Sequence, residues 1–357
     1  MRVQKLKISN LRNISEAELD FSPNINFIQG DNGAGKTTVI EALYLLARSK
    51  SFKRGHQKSL IQHKKESLTV FGKASNAEGQ YLQIGIQKDA TRTLVKMNGQ
   101  VINRLSDLAK QLPIALITPQ SQKILEEGPE YRRRLLNWGV FHVEPNFGPL
   151  MATYNRTLQQ RNQALRDTKS KLSIWDDLLS ESANQITVIQ REFLDRVRET
   201  LLSLIDETKG LKGISISFYQ GWDEGLCLKD ALSKKIEVDK RRLFTSAGPH
   251  RADVLFEVDG KPIREKLSRG QQKYLLILTM LAQAQQLRKL QAGPPIFLMD
   301  DFQSELDQRT QSDLLEFFSE RSIQTIITGI TDLRYMKEST HSDRQMFHVE
   351  QGVVKAV

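Results

Sequence analysis

"GDNGAGKTT", residues 30–38, lies between an apolar run ending at Ile28 and a helical pattern beginning at Val39. It matches G-x-x-x-x-G-K-[ST] through Gly30, Gly35, Lys36 and Thr37, in the strand–loop–helix setting that a phosphate-binding loop needs. Each residue type answers to the chemistry of a triphosphate. From Gly30 through Asp31, Asn32, Gly33, Ala34 and Gly35, backbone N–H groups can close around phosphate oxygens, and the following helix adds the positive end of its dipole. Lys36 would meet the β- and γ-phosphates, the Thr37 hydroxyl would ligate Mg²⁺, and Thr38 completes the loop.

Such a loop needs a second buried strand that ends in carboxylates. "PPIFLMDD" at 294–301 supplies one: Ile296 to Met299 bury the strand and deliver Asp300 and Asp301 to its C-terminal end, where ligands collect in parallel sheets. Asp300 would hold Mg²⁺, and Asp301 would position or deprotonate the attacking water. "IQTIITGI" at 323–330 reads as another buried strand.

Around this pair of motifs the chain alternates in character. Val3, Leu6 and Ile8, then Leu19, Phe21, Ile25, Phe27 and Ile28, predict two strands before Gly30, and Val39, Leu43, Leu46 and Ala47 predict the helix after it. Residues 67–102 read as an antiparallel meander with an Asn98-Gly99 hairpin turn. Two long amphipathic helices follow, carried by Leu150 to Leu165 and by Trp175 to Leu204. The predicted organisation is an ATPase lobe from 1–125 and 241–357, the latter part carrying "LSRGQQK" at 267–273 and the acidic strand, interrupted by a helical lobe at 126–240.

The 357 residues can bury a sizeable core, and the single Cys227 excludes an internal disulfide framework. The charged start "MRVQKLKISNLRN" has no apolar core of a signal peptide, and no apolar run is long enough to span a bilayer. A cytoplasmic protein without membrane attachment is expected. Net charge is +10, with basic clusters at Arg48, Lys50, Lys53, Arg54 and Lys58, at Arg132 to Arg134, and at Lys234, Lys235, Lys240, Arg241 and Arg242. Apart from Phe52 in the first cluster, no aromatics interleave with them as in a base-stacking platform, so phosphate-backbone contacts are expected over base readout.

"LSRGQQK" at 267–273 stands in front of the apolar run 274–282. Ser268 and Gln271 could form a capping box. The segment also resembles the signature of ABC-type ATPases, in which such a serine and glycine at a helix N-terminus bind the γ-phosphate of a nucleotide held by another subunit. "SELD" at 304–307 resembles the D-loop of that superfamily and favours the second reading. "LRN" at 11–13, "NGAGKTTVIEALYLL" at 32–46, "LITPQSQKILEEGPEYRRRLLNWGVFH" at 116–142 and "TSAGPHRAD" at 245–253 then extend the resemblance, nearly end to end, to the RecF family of bacterial recombination and repair proteins.

That resemblance implies an α/β fold: an ABC-type, SMC-head-like P-loop ATPase with a helical insert lobe. It implies ATP and Mg²⁺ as cofactors, and a nucleotide site to which Arg12, Gln120, Ser268, Gly270, Gln271 and Asp307 contribute. The loop glutamine of ABC enzymes corresponds to Gln120 or Gln122, and both positions stay open. Further implied are an ATP-dependent homodimer on double-stranded DNA at the edges of single-strand gaps, weak DNA-stimulated hydrolysis, and cooperation with RecR and RecO in loading RecA. Two rivals share the motifs. A transporter's energising subunit should carry a switch histidine, which "TGIT" at 328–331 lacks, His341 and His348 lying further along; a chromosome-structuring SMC protein needs longer coiled-coil arms than this insert provides. Gly248, Pro249, His250, Arg251 and Asp253 have no generic catalytic reading, and a histidine beside an arginine most readily forms a structural hydrogen-bond pair.

Overall fold

Alternating burial makes Arg2–Leu11 (β1) a strand, and the turn at Arg12 and Asn13 returns the chain as Ile14–Asp20 (β2), antiparallel to it. The computed structural model describes residues 1–53, 57–76, 78–167, 171–208, 211–289, 293–330 and 344–357. A third strand, Ile25–Gln29 (β3), belongs to a different sheet, so the two strands read from the sequence before Gly30 are three. Asn26 causes the separation: its carboxamide accepts from the Ser22 backbone N–H and donates to the Ser22 carbonyl, closing a turn that redirects the chain.

The remaining elements follow in order: Lys36–Arg48 (α1), Ser67–Ser75 (β4), Tyr81–Asp89 (β5), Thr93–Met97 (β6), Gln100–Val101 (β7), Leu105–Gln111 (α2), Ile114–Ile117 (β8), Lys123–Glu126 (α3), Pro129–Val143 (α4), Phe147–Ala164 (α5), Leu172–Thr208 (α6), Ile214–Tyr219 (β9), Leu228–Lys234 (α7), Ile236–Arg242 (α8), Asp253–Val258 (β10), Lys261–Pro262 (β11), Arg269–Lys289 (α9), Ile296–Met299 (β12), Gln308–Glu320 (α10), Thr325–Gly329 (β13), Arg344–Glu350 (β14) and Val353–Ala356 (β15). They divide into two units, Met1–Ser121 with Gly293–Val357, and Gln122–Ala292.

The first unit holds two six-stranded sheets. One is the antiparallel sheet β2-β1-β4-β5-β6-β7, with the Asn98-Gly99 turn in the left-handed conformation that its hairpin requires. The other runs β15-β14-β3-β13-β12-β8, parallel except for β15. Helix α1 joins them into one core: Leu6 and Ile8 of β1, Val39, Leu43 and Leu46 of α1, and Ile28, Leu298 and Ile326 of the parallel sheet are all buried in a single cluster. Leu43 and Leu46 alone contribute on the order of 2 kcal/mol each through burial.

The second unit contains the helices from α3 to α9 and the sheet β11-β10-β9. Helix α6 has 37 residues, about 55 Å at 1.5 Å per residue, and packs against α5 and α9. Gly139 lets α4 approach both neighbours, since a Cβ there would sit 2.4 Å from the Gln283 carboxamide and 2.5 Å from the Phe193 ring. The sequence grouped 241–292 with the acidic strand. Here β10 pairs with β9 in register, Val254 opposite Phe218, and α9 packs on α6, so the signature segment belongs with the helical lobe. Among the described residues no helix is long and apolar enough to cross a membrane.

Candidate nucleotide-binding site

The phosphate loop connects β3 to α1 and is held in place by the last hairpin of the chain. Gly30 admits no other residue: its φ is 156°, and a Cβ would lie 2.1 Å from the Val349 carbonyl oxygen on β14. At the turn between β14 and β15 the Gly352 N–H donates to the Ala34 carbonyl at 2.8 Å. Lys36 folds back over the loop, its Nζ donating to the carbonyls of Gly30 at 2.5 Å and Asp31 at 2.9 Å. Burial lowers the Lys36 pKa from its ordinary value, against the upward pull of Asp301, Asp300 and Asp31. An ammonium among carbonyls and carboxylates at the start of a helix fits a polyphosphate.

Strand order brings the acids to this loop. β13 separates β3 from β12, and all three run parallel, so Thr37 at the start of α1, Thr328 at the end of β13 and Asp300 just past β12 meet at one edge. Thr37 donates to Asp300 Oδ1 at 3.0 Å, and the fully buried Thr328 donates to the same oxygen at 2.8 Å. Thr328 Oγ1 also accepts from the Asp301 N–H at 2.9 Å, fixing Asp301 in a left-handed conformation with φ 53°. A hydroxyl and a carboxylate sharing one hydrogen bond are the hard oxygen donors that Mg²⁺ takes. The sequence reading missed Thr328; its one signal was a hydroxyl at the end of a buried strand.

Arg12 of the "LRN" turn lies against α1. Its guanidinium forms a two-pronged ion pair with buried Glu41 of α1, at 3.0 and 2.9 Å, and donates to the Ser59 carbonyl at 2.7 Å. The next residue is the one that reaches the loop. Asn13 Nδ2 donates to the carbonyls of Gly33 at 3.2 Å and Ala34 at 2.9 Å, and its Oδ1 accepts from the Thr38 hydroxyl at 3.0 Å.

The other expected contributors lie at element ends. Gln120 is exposed in a turn after β8, where the Ser121 N–H donates to the Thr118 carbonyl, and Gln122 is the residue before α3. Asp307 caps α10, accepting from the Thr310 N–H at 2.9 Å and hydroxyl at 2.8 Å, which holds its carboxyl below the usual range. Ser268 and Gln271 form the capping box in full: Ser268 Oγ accepts from the Gln271 N–H at 3.3 Å, and Gln271 Oε1 accepts from the Ser268 N–H at 3.0 Å. The box and a phosphate contact are compatible, since the hydroxyl accepts in the cap and keeps its own proton to donate. Gly270 follows within the first turn of α9.

A family model described as the RecF/RecN/SMC N terminal domain matches residues 2–355. The DNA replication and repair protein RecF of Haemophilus influenzae strain 86-028NP is 36% identical over 360 residues, covering 100% of both chains. The chain belongs to the RecF family. RecF of Shewanella woodyi is 37% identical, covering 100% of this chain and 98% of its own. In fold, a solved structure of the recombination mediator protein RecF with ATP, in the RecFOR pathway, matches with a TM-score of 0.86 at 24% identity, over 100% of this chain and 97% of the other. The Smc head domain of Pyrococcus furiosus matches with a TM-score of 0.60 at 15% identity, over 100% and 96%. The expected SMC-head-like α/β fold is therefore the observed one.

In this RecF-family chain, two of the blocks that carry the resemblance meet in the second unit. Arg132 of "GPEYRRRLLNWG" grips Asp253 of "TSAGPHRAD" with two bonds of 2.8 Å, and Arg133 donates to the Ala252 carbonyl at 2.7 Å. Two of the three consecutive arginines thus serve the fold; exposed Arg134 pairs with Glu130. His348 is exposed on β14, opposite Gln29, while Arg54, Thr331 and His341 lie outside the described residues.

Proposed function

We propose that this RecF-family chain is an ATP-operated DNA-binding protein of replication and recombinational repair, in which nucleotide closes a homodimer on duplex DNA and slow hydrolysis reopens it. The observation that carries the reading is the meeting of Lys36, Thr37, Asp300 and Thr328 at one sheet edge. Bound ATP would supply the γ-phosphoryl group for transfer to water, with ADP leaving, and bound Mg²⁺ would neutralise the charge that develops. Lys36 would exchange its carbonyl acceptors for phosphate oxygens. Thr37 and Asp300 would hold the cation. Asp301, fixed by Thr328, would orient the attacking water and take its proton. Ser268 and Gly270 would complete the site of the partner protomer, with Gln271 keeping the serine in place. Gln120, Arg12 and Asp307 act around that centre, Arg12 and Asp307 by fixing α1 and α10. Lack of a histidine at Thr328 and Gly329 supports slow turnover. Duplex and gapped DNA, and cooperation with RecR, RecO and RecA, come from the RecF resemblance and suit the net charge of +10.

Asp301→Asn should retain nucleotide binding, which rests on Lys36, Thr37 and Asp300, and should lose hydrolysis by about a hundredfold or more. Nucleotide affinity and turnover are measured with no DNA, single strands, duplex and gapped duplex. Turnover at the parent rate in the variant, or no response of the parent to any DNA, would overturn the reading.

A further inference from the structure

The loop Gly248–Arg251 is held by a buried polar network that the nucleotide site does not use. Fully buried Tyr154 lies 2.6 Å from His250 Nδ1, and His250 Nε2 lies 2.9 Å from the Thr245 carbonyl. A carbonyl can only accept, so Nε2 carries a proton; burial disfavours the charged ring, so Nδ1 accepts from the tyrosine and both nitrogens are used. Thr245 in turn donates its N–H and hydroxyl to Asn162 Oδ1, at 2.8 and 2.7 Å, and accepts from Arg161 at 2.9 Å. Arg161, with no exposed surface, pairs with Asp176 at 2.6 Å and Asp239 at 2.8 Å. Gly248, at φ 133°, leaves room for the tyrosine: a Cβ would lie 2.5 Å from its hydroxyl.

With the loop tied from below by His250 and from behind by Arg132 and Arg133, one side chain faces outward. Arg251 is exposed, its guanidinium 5.0 Å from the centre of the Phe244 ring, and it has no ion pair among the described residues. Exposed Arg241 and Arg242 end α8 just before Phe244. Burial lowers Arg133 from its ordinary value, and the charges of Arg251 and Arg132 lower it further, against Asp253 and Glu130. Positive charge is thus concentrated here. A merely solvated arginine needs neither a fixed backbone nor a stacked guanidinium; both reduce the freedom lost when it binds. A stacked, planar fork suits phosphate oxygens.

We propose that the His250-anchored loop presents Arg251, with Arg241 and Arg242, as a contact surface for the phosphate backbone of duplex DNA. The proposal rests on the DNA-binding reading above and gives it a location.

The test uses the full chain with saturating Mg-ATP and a fluorescent 40-base-pair duplex, titrated across salt concentrations. Arg251→Glu should weaken binding about tenfold at low salt and flatten the logarithmic salt dependence by about 0.9 for each phosphate left without its cation. Phe244→Leu, which keeps every charge, should weaken binding only a few-fold with the slope unchanged. Lys261→Glu, the same reversal at exposed β11, should leave affinity within about twofold. Parent-like binding by Arg251→Glu, or an equal loss in Lys261→Glu, would overturn the proposal, the second by reducing the effect to net charge. Failure of the parent itself to bind duplex would instead remove the DNA-binding reading on which it stands.

Discussion

Lys36 is 9% exposed, and its aliphatic stem is enclosed before its ammonium reaches the loop carbonyls. Lys36→Met should therefore keep the fold and melting temperature, while losing charge-assisted hydrogen bonds worth about 1.5–3 kcal/mol, a roughly 10- to 150-fold drop in nucleotide affinity measurable by calorimetry. A second residue gives a pH signature. Burial holds His250 at about 4, below its ordinary 6.5, so between those values the unfolded chain binds the extra proton and stability rises with pH. Full at pH 7, this contribution of about 3 kcal/mol is lost as pH falls from 6.5 through 4. His250→Gln should flatten that part of the profile in urea unfolding at pH 7, 5.5 and 4.5. The placement of such residues differs in how far the sequence exposes it. Lys36, Thr37 and Asp300 are legible because phosphate chemistry restricts residue type and spacing. Asn13 and Thr328 are not: a carboxamide in a turn and a hydroxyl at a strand end acquire their partners from strand order alone.

At the scale of elements, periodicity located α1, the meander, α5, α6 and the buried strands β12 and β13, because one-sided or complete burial leaves a repeat in the sequence. It failed at β2 and β3, where two apolar stretches lie close together and only the Asn26 turn divides them between sheets. It also left the signature with the wrong neighbours, since α9 is buried around most of its circumference, polar Gln272, Gln283 and Gln286 included, and its sequence carries no indication of which helices will cover it. α10 offers a clean test of an element end that has two roles. Asp307→Ala should lower the melting temperature through the missing cap, whereas Asp307→Ser should restore it. Hydrolysis that falls in Ala and recovers in Ser would show that Asp307 acts by fixing the helix start; loss in both would require a direct carboxylate role.

For the molecule as a whole, the proposed trans arrangement makes a prediction that no single chain can satisfy. Lys36→Met and Ser268→Arg should each be inactive as homodimers, while mixing them should restore one composite site and roughly a quarter to a half of parental hydrolysis. No recovery of either turnover or ATP-dependent heterodimers on mixing would leave Ser268 as the helix cap it already is. The strand order β14-β3-β13 has another consequence, in time rather than in space. Gly30 rests against Val349, and Ala34 is bonded by Gly352, so the wall of the phosphate loop is translated roughly 300 residues after the loop itself. A ribosome-bound chain that has emerged only as far as β13 has its lysine and its acids but no support behind the glycines. A chain ended within β14 should therefore bind ATP more weakly than one that runs on through β15, a difference that equilibrium dialysis of the two would measure.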